Sequence, residues 1–154
     1  MRKQHASLES VPELVSRWMG LLGLKVEARF QPSGDEEAFP NRLLVSGPDA
    51  DWLAASRGQA LDALQFLVHE AQGEREDTKL AYLDVKGARL FRMQEVMAMG
   101  RLAAERAREL GSHTLGALSP RERRWVHLVV SREEGLGTES EGTGTFKPVR
   151  VFRA

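Results

Sequence analysis

The chain has 154 residues, enough for one domain or two small ones, with 42% hydrophobic residues and no long apolar run, so no membrane span is expected. It holds no cysteine, which excludes disulfide scaffolds, thiol nucleophiles and cysteine zinc sites, and its four histidines (His5, His69, His113, His127) lack ligand spacing, so neither a metal nor another cofactor is expected. Net charge is zero, yet residues 1–85 carry nine Lys or Arg against fourteen Asp or Glu, a formal −5, and residues 86–154 carry thirteen against eight, a formal +5. Such asymmetry suggests two modules with different electrostatic tasks, the C-terminal one being the candidate phosphate binder.

The first residues, Met1 to Ser7, are basic but lead into no apolar segment, so a signal peptide is not expected and a cytoplasmic location is. Val11, Leu14, Val15, Trp18, Met19 and Leu22 recur at helical spacing and predict a helix ending near Gly23. Leu24, Val26, Ala28 and Phe30 alternate with Lys25, Glu27, Arg29 and Gln31, the period of a half-buried strand. An acidic turn over 32–37 precedes a second strand from about Asn41 to Ser46, closed by Gly47-Pro48. Residues 58–72 predict a helix with Leu61, Leu64, Leu67 and Val68 on one face, and Leu80 to Val85 a third strand. Helix, strand, strand, helix, strand makes a compact α+β unit.

From Gly87 an amphipathic helix is predicted to about Leu110, with Leu90, Met93, Val96, Met97, Leu102, Ala103 and Ala107 as its apolar stripe and Gly111 as its stop. An extended piece, His113 to Leu118, leads to a helix beginning at Ser119-Pro120 and ending near Arg132. Residues 135–146, with four glycines, read as a strand into a tight turn, and Lys147 to Arg153 as a final strand. The division falls at Lys86-Gly87, giving domains over 8–86 and 87–154 with the long helix open to sharing.

The stretch Ser119 to His127 carries the chemistry. Ser119 caps the helix with Glu122 three residues on, and Pro120 suits the first helical position, so the register is locally determined. In that register Arg123 and His127 are neighbours on one face, a pairing that suits a phosphate; a solvated basic helix is the other reading of the same residues. Arg123 would grip a phosphate with two parallel hydrogen bonds, and His127 would bond a phosphate or sugar or stack on a base. Arg121 and Arg124 flank the pair, Arg124 being equally suited to a salt bridge with a nearby Glu. Lys147 and Arg150 extend a basic track if they share that face, while Gly142-Thr143-Gly144 reads either as an N–H donor turn or as a plain hairpin turn. Trp125, Trp18 and Trp52 are expected in cores. An enzyme such as a nuclease would need a carboxylate pair or metal cluster beside His127, and Glu122, Glu139 and Glu141 lack that spacing.

Two segments together resemble the bacterial Jag family, which joins a KH domain to a single-stranded nucleic-acid-binding domain named R-3-H after its Arg-x-x-x-His signature. One runs from Arg57 to Val68, and the other is Leu118 to Leu128 followed by Thr138-Glu139-Ser140-Glu141-Gly142. Between them, Asp84-Val85-Lys86-Gly87 with Arg89 and Arg92 resembles the family's entry into its long helix. The resemblance covers about residues 10–153. It implies an α+β fold: a small KH-like α/β sandwich, then an R-3-H domain with a three-stranded sheet packed on two helices. It also implies noncatalytic binding of single-stranded RNA, or DNA, by Arg123, His127, Arg124, Lys147 and Arg150, joined by Arg89 and Arg92. The family's GxxG loop appears as Ala55-Ser56-Arg57-Gly58, where the first glycine is missing and Asp49, Asp51 and Asp62 are expected to repel phosphate. The family's tyrosine after Gly87 is Ala88, and the separate N-terminal domain of longer relatives is not expected. The acidic KH-like half therefore also reads as a protein-interaction module for another KH protein or for a second copy of the chain.

Overall fold

A computed structural model describes residues 4–154; the basic start, Met1-Arg2-Lys3, lies outside the described residues. Among the described residues the fold is α+β, with four α-helices and two three-stranded sheets, as expected from the sequence. It divides into two compact units, Met1–Leu90 and Phe91–Ala154. No helix among the described residues is long and apolar enough to cross a membrane.

In the first unit a 3-10 turn, Leu8–Ser10, leads into α1 (Val11–Leu21), with Pro12 in its first turn where a missing N–H costs nothing. Val11, Val15 and Met19 recur every four residues and are buried. Strands β1 (Glu27–Phe30) and β2 (Arg42–Ser46) pair antiparallel; α2 (Ala50–Gln72) then crosses over, so that β3 (Tyr82–Val85) lies parallel to β2 in the order β1-β2-β3. The register sets Leu43 opposite Leu83 and Val45 opposite Val85, and these four form the buried face with Leu53, Leu61, Leu64 and Val68 of α2.

The helix expected over 58–72 is present, and α2 carries an additional short helical segment from Ala50 ahead of it; the two are separated at Ala55–Gly58, where Ala55 is extended (φ −63°, ψ 162°) and Ser56, Arg57 and Gly58 are left-handed (φ 54°, 60° and 75°). Two side-chain placements in α2 depart from expectation. Trp52 is 58% exposed rather than in the core, because the short leading segment takes its phase from buried Ala50 and Leu53. Leu67 is 52% exposed, and Gln65 and Gln72 take inward positions beside Leu61, Leu64 and Val68. The glutamines face in because β3 needs partners on the side away from β2. Gln65 donates to Ala81 O (2.7 Å) and accepts from Leu83 N (2.7 Å), while Gln72 donates to Lys79 O (2.9 Å) and accepts from Ala81 N (2.9 Å). His69 Nε2 lies 2.8 Å from Ala81 O. Unpaired backbone groups in that position would each cost about 1–3 kcal/mol.

A buried ion pair links the two parallel strands: Arg42 Nε donates to Asp84 Oδ2 at 2.8 Å, the side chains being 4% and 0% exposed. Asp84 also accepts from Arg89 N (2.8 Å) and Leu90 N (3.2 Å), satisfying free donors at the start of α3 (Ala88–Leu110).

In the second unit α3 is followed by β4 (Ser112–Leu118), α4 (Pro120–Ser131), β5 (Leu136–Ser140) and β6 (Lys147–Arg153), with sheet order β4-β6-β5 and every pairing antiparallel. Val149 and Val151 of central β6 are fully buried, and α4 packs on the sheet with Trp125 (3% exposed, as expected), Val126, Val129 and Val130. The inward face of α3 is Met93, Val96, Met97, Gly100, Ala103, Ala104 and Ala107; Leu102, expected on that stripe, is 55% exposed. The small residues bring α3 close to α4: a Cβ on Gly100 would lie 2.6 Å from Val129 Cγ1 and 3.6 Å from Val126 Cα.

Candidate nucleic-acid interface

Local chemistry starts α4. Ser119 is extended (φ −65°, ψ 163°); its hydroxyl accepts from Glu122 N (3.3 Å) and its N–H donates to Glu122 Oε2 (2.8 Å), the reciprocal capping box its sequence predicts. Glu122 Oε1 also accepts from Arg92 Nε at 2.6 Å, and Arg92 Nη1 reaches Glu95 Oε2 at 3.5 Å. Burial pushes the Glu122 carboxyl up, but the Ser119 N–H, the Arg92 guanidinium and the Ser119 hydroxyl outweigh it, leaving the carboxyl below its ordinary range. Arg92 is held above its own ordinary value, chiefly by the bond to Glu122.

Arg123 and His127 stand one turn apart on α4, and each ties the helix to another element. Arg123 Nη1 donates to Leu118 O at the end of β4 (2.7 Å) and to Thr145 O in the β5–β6 loop (2.6 Å), leaving Nε and Nη2 as the donors it can offer an anion. His127 lies against β5, with Nδ1 2.6 Å from Thr138 Oγ1 and Nε2 3.2 Å from Ser140 Oγ. Residues two apart on a strand share a face, and hydroxyls donate or accept as required, so both ring nitrogens of a neutral imidazole are served. Burial, and then the charge of Arg123, holds His127 below its ordinary value. The result is a half-buried Arg/His pair bordered by two hydroxyls and a glycine-containing loop.

This is the second unit's signature, and it is matched. Residues 94–153 match the R-3-H domain family. Such domains are generally single-stranded nucleic-acid binders. No KH-domain or Jag-family match accompanies it, and no curated protein matches the chain.

The R-3-H domain gathers the expected cations unequally. Arg124 is exposed on α4, and Lys147 opens β6 opposite Leu118. Arg150 is paired with Glu139 across β5–β6 (Nη1–Oε1 2.9 Å), with its guanidinium carbon 5.1 Å from the Phe152 ring centroid. Arg92 is held by two carboxylates, as above. Arg89 belongs to the first unit, where it pairs with Asp62 and donates Nη1 to Leu83 O at 3.1 Å. No group of three or more His, Asp or Glu side chains that could hold a metal ion occurs among the described residues.

In the first unit, the loop over Ala55, Ser56, Arg57 and Gly58 corrects one expectation. Ala55 has negative φ, so the missing glycine imposes no backbone penalty there; the left-handed requirement falls on Ser56, Arg57 and Gly58. The acidic neighbours are also engaged: Asp51 pairs with Lys86 Nζ (2.8 Å), Asp62 with Arg89, and Asp49 Oδ2 accepts from Lys25 N (2.6 Å). Their repulsion of a phosphate is correspondingly weaker than the sequence suggests.

Three residues with a place in this geometry were given no binding role from the sequence. Thr138 and Ser140 contact His127, and alternate hydroxyl residues on a strand were the available signal. Phe146 is 65% exposed in the β5–β6 loop, directly after Thr145, whose carbonyl Arg123 holds.

Proposed function

We propose that this protein is a noncatalytic, cytoplasmic binder of single-stranded RNA whose contact centre is the Arg123/His127 face of α4. The observation that carries the reading is the R-3-H match coinciding with that face, where Arg123 retains guanidinium donors and His127 is framed by the Thr138 and Ser140 hydroxyls. Arg124 and Lys147 add long-range attraction, and Arg150 joins them when a phosphate competes with Glu139. The chemistry offered is recognition: a fork of N–H donors, a neutral imidazole and hydroxyls suit phosphate and sugar oxygens. Fluorescence anisotropy with a short labelled single-stranded RNA tests this. Affinity should fall in an Arg123→Ala/His127→Ala variant whose circular dichroism is unchanged, and RNA should outcompete DNA of the same sequence. Unaltered affinity in that variant, or binding indifferent to salt, would remove the reading.

The first unit we read as KH-like. Its helix-strand-strand-helix-strand order, its parallel β2–β3 pairing and the exposed break in α2 at 55–58 support that. Only Arg57 supplies charge within the loop, so support of the R-3-H domain is its role rather than an RNA clamp. A second reading, protein binding by this unit, is favoured by exposed Trp52, Phe66 (64%) and Leu67 on α2. Light scattering of the full chain tests it: a dimer converted to monomer by Phe66→Glu supports the reading, and a monomer at all concentrations argues against self-association.

A further inference from the structure

We infer that Phe146 is a base-stacking platform, and that this ring, rather than the surrounding cations, makes the R-3-H face select single strands over duplex. The inference rests on the nucleic-acid reading above and adds to it what kind of nucleic acid fits. Phe146 lies in the loop that joins β5 to β6. That hairpin is closed by Ser140 opposite Val149 and by Glu141 N donating to Pro148 O at 3.0 Å. Within the loop, Gly142 and Gly144 take positive φ (83° and 95°), a conformation that glycine adopts without strain. On one side of Phe146, the Thr145 carbonyl is held by Arg123 Nη1 at 2.6 Å; on the other, Lys147 is paired in register with Leu118. The backbone is therefore anchored immediately before and after a ring that is 65% exposed.

A lone exposed hydrophobe needs no explanation on most surfaces. Here the anchoring partner is the proposed phosphate ligand, and the following residue is a cation, so the ring sits within one residue of each. Phosphates occur on duplexes as well as single strands, so cations cannot tell the two apart. An aromatic face can, because it accepts only a base freed from its own stack, and pre-positioning the ring limits the ordering needed on binding.

The test compares affinities of the full chain for a short single-stranded oligonucleotide, the same strand carrying an abasic gap, and the corresponding duplex. Phe146→Ala should weaken binding of the intact single strand by about fivefold to a hundredfold, leave duplex binding and the salt dependence unchanged, and bring the intact and abasic strands toward equality. Phe146→Trp should restore the preference. If Phe146→Ala binds the intact strand as tightly as the parent while Arg123→Ala/His127→Ala does not, the stacking role falls and the phosphate site stands. Equal weakening toward single strand and duplex would overturn it too. If the parent binds no nucleic acid, both proposals fall together.

Discussion

The salt dependence of binding follows from a count of usable cations. In the R-3-H domain, Arg123, Arg124, Lys147 and Arg150 are the candidates, of which Arg124 and Arg150 are already engaged within the protein; Arg92 is held by Glu122 and Glu95, and His127, held below its ordinary value of 6.5, carries little charge at neutral pH. Single-strand binding changes with a logarithmic slope of about −0.7 per phosphate neutralised, so four cations set a limit near −2.8 and two, with Arg124 and Arg150 left on their own partners, give about −1.4. Raising salt about fourfold should then weaken binding roughly sevenfold to fiftyfold. Glu139→Gln removes the competitor for Arg150 and should tighten binding while steepening the slope toward the four-cation limit. Anisotropy titrations at several salt concentrations near neutral pH read these slopes directly. A slope near zero would mean that phosphates are not the ligand, and one steeper than about −4 that cations outside this face dominate.

Three further outcomes follow. His127 has a lowered folded pKa, so its contribution to stability is complete above its ordinary value of 6.5 and is lost as pH falls through the lower folded value. Urea midpoints taken between about pH 7.5 and 5 should therefore fall more steeply for the parent than for His127→Gln, and identical acid sensitivity would refute the burial argument. Asp84→Ala leaves the Arg42 guanidinium buried without a counter-charge and should cost about 3–5 kcal/mol, a loss far larger than a surface pair would give. Denaturation followed by circular dichroism measures it; a loss under about 1 kcal/mol would contradict the description, and an apolar Arg42→Met/Asp84→Leu pair should recover only the part due to the stranded charge, since Arg89 N and Leu90 N still lose their acceptor. Gly100→Ala improves helix propensity by about 1 kcal/mol but puts a methyl 2.6 Å from Val129 Cγ1, so net destabilisation of about 1–2 kcal/mol is expected, relieved by Val129→Ala. A raised melting temperature in Gly100→Ala would show that the helices yield.

The start of α4 was legible because its determinants are neighbours in sequence: Ser119, Pro120 and Glu122 specify the helix start, and the start dictates that Arg123 and His127 share a face. The final strand was legible by alternation, which Val149 and Val151 obey. What escaped was non-local. Apolarity alone placed Leu67 inside and gave Gln65 and Gln72 no inward role, since the demand for their amides comes from the backbone around β3. The loop at 55–58 was legible only through the family resemblance, because three left-handed residues, only one of them glycine, leave no compositional mark beyond Gly58, and the short helical segment before it escaped. Arg89, Arg92 and Arg150 read as open cations because Asp62, Glu122 and Glu139 are brought to them only by folding.

The outer side of β3 has one more consequence. From Lys79 O through Ala81 N, Ala81 O and Leu83 N to Leu83 O, each outward-facing backbone group is taken by a side chain, from Gln72, Gln65, His69 or Arg89. A helix and the first turn of the next one thus stand in for a missing fourth strand. An incoming chain would find no free donor or acceptor to pair with along this border, so growth of the sheet by strand addition, the usual hazard of an open border, is blocked there.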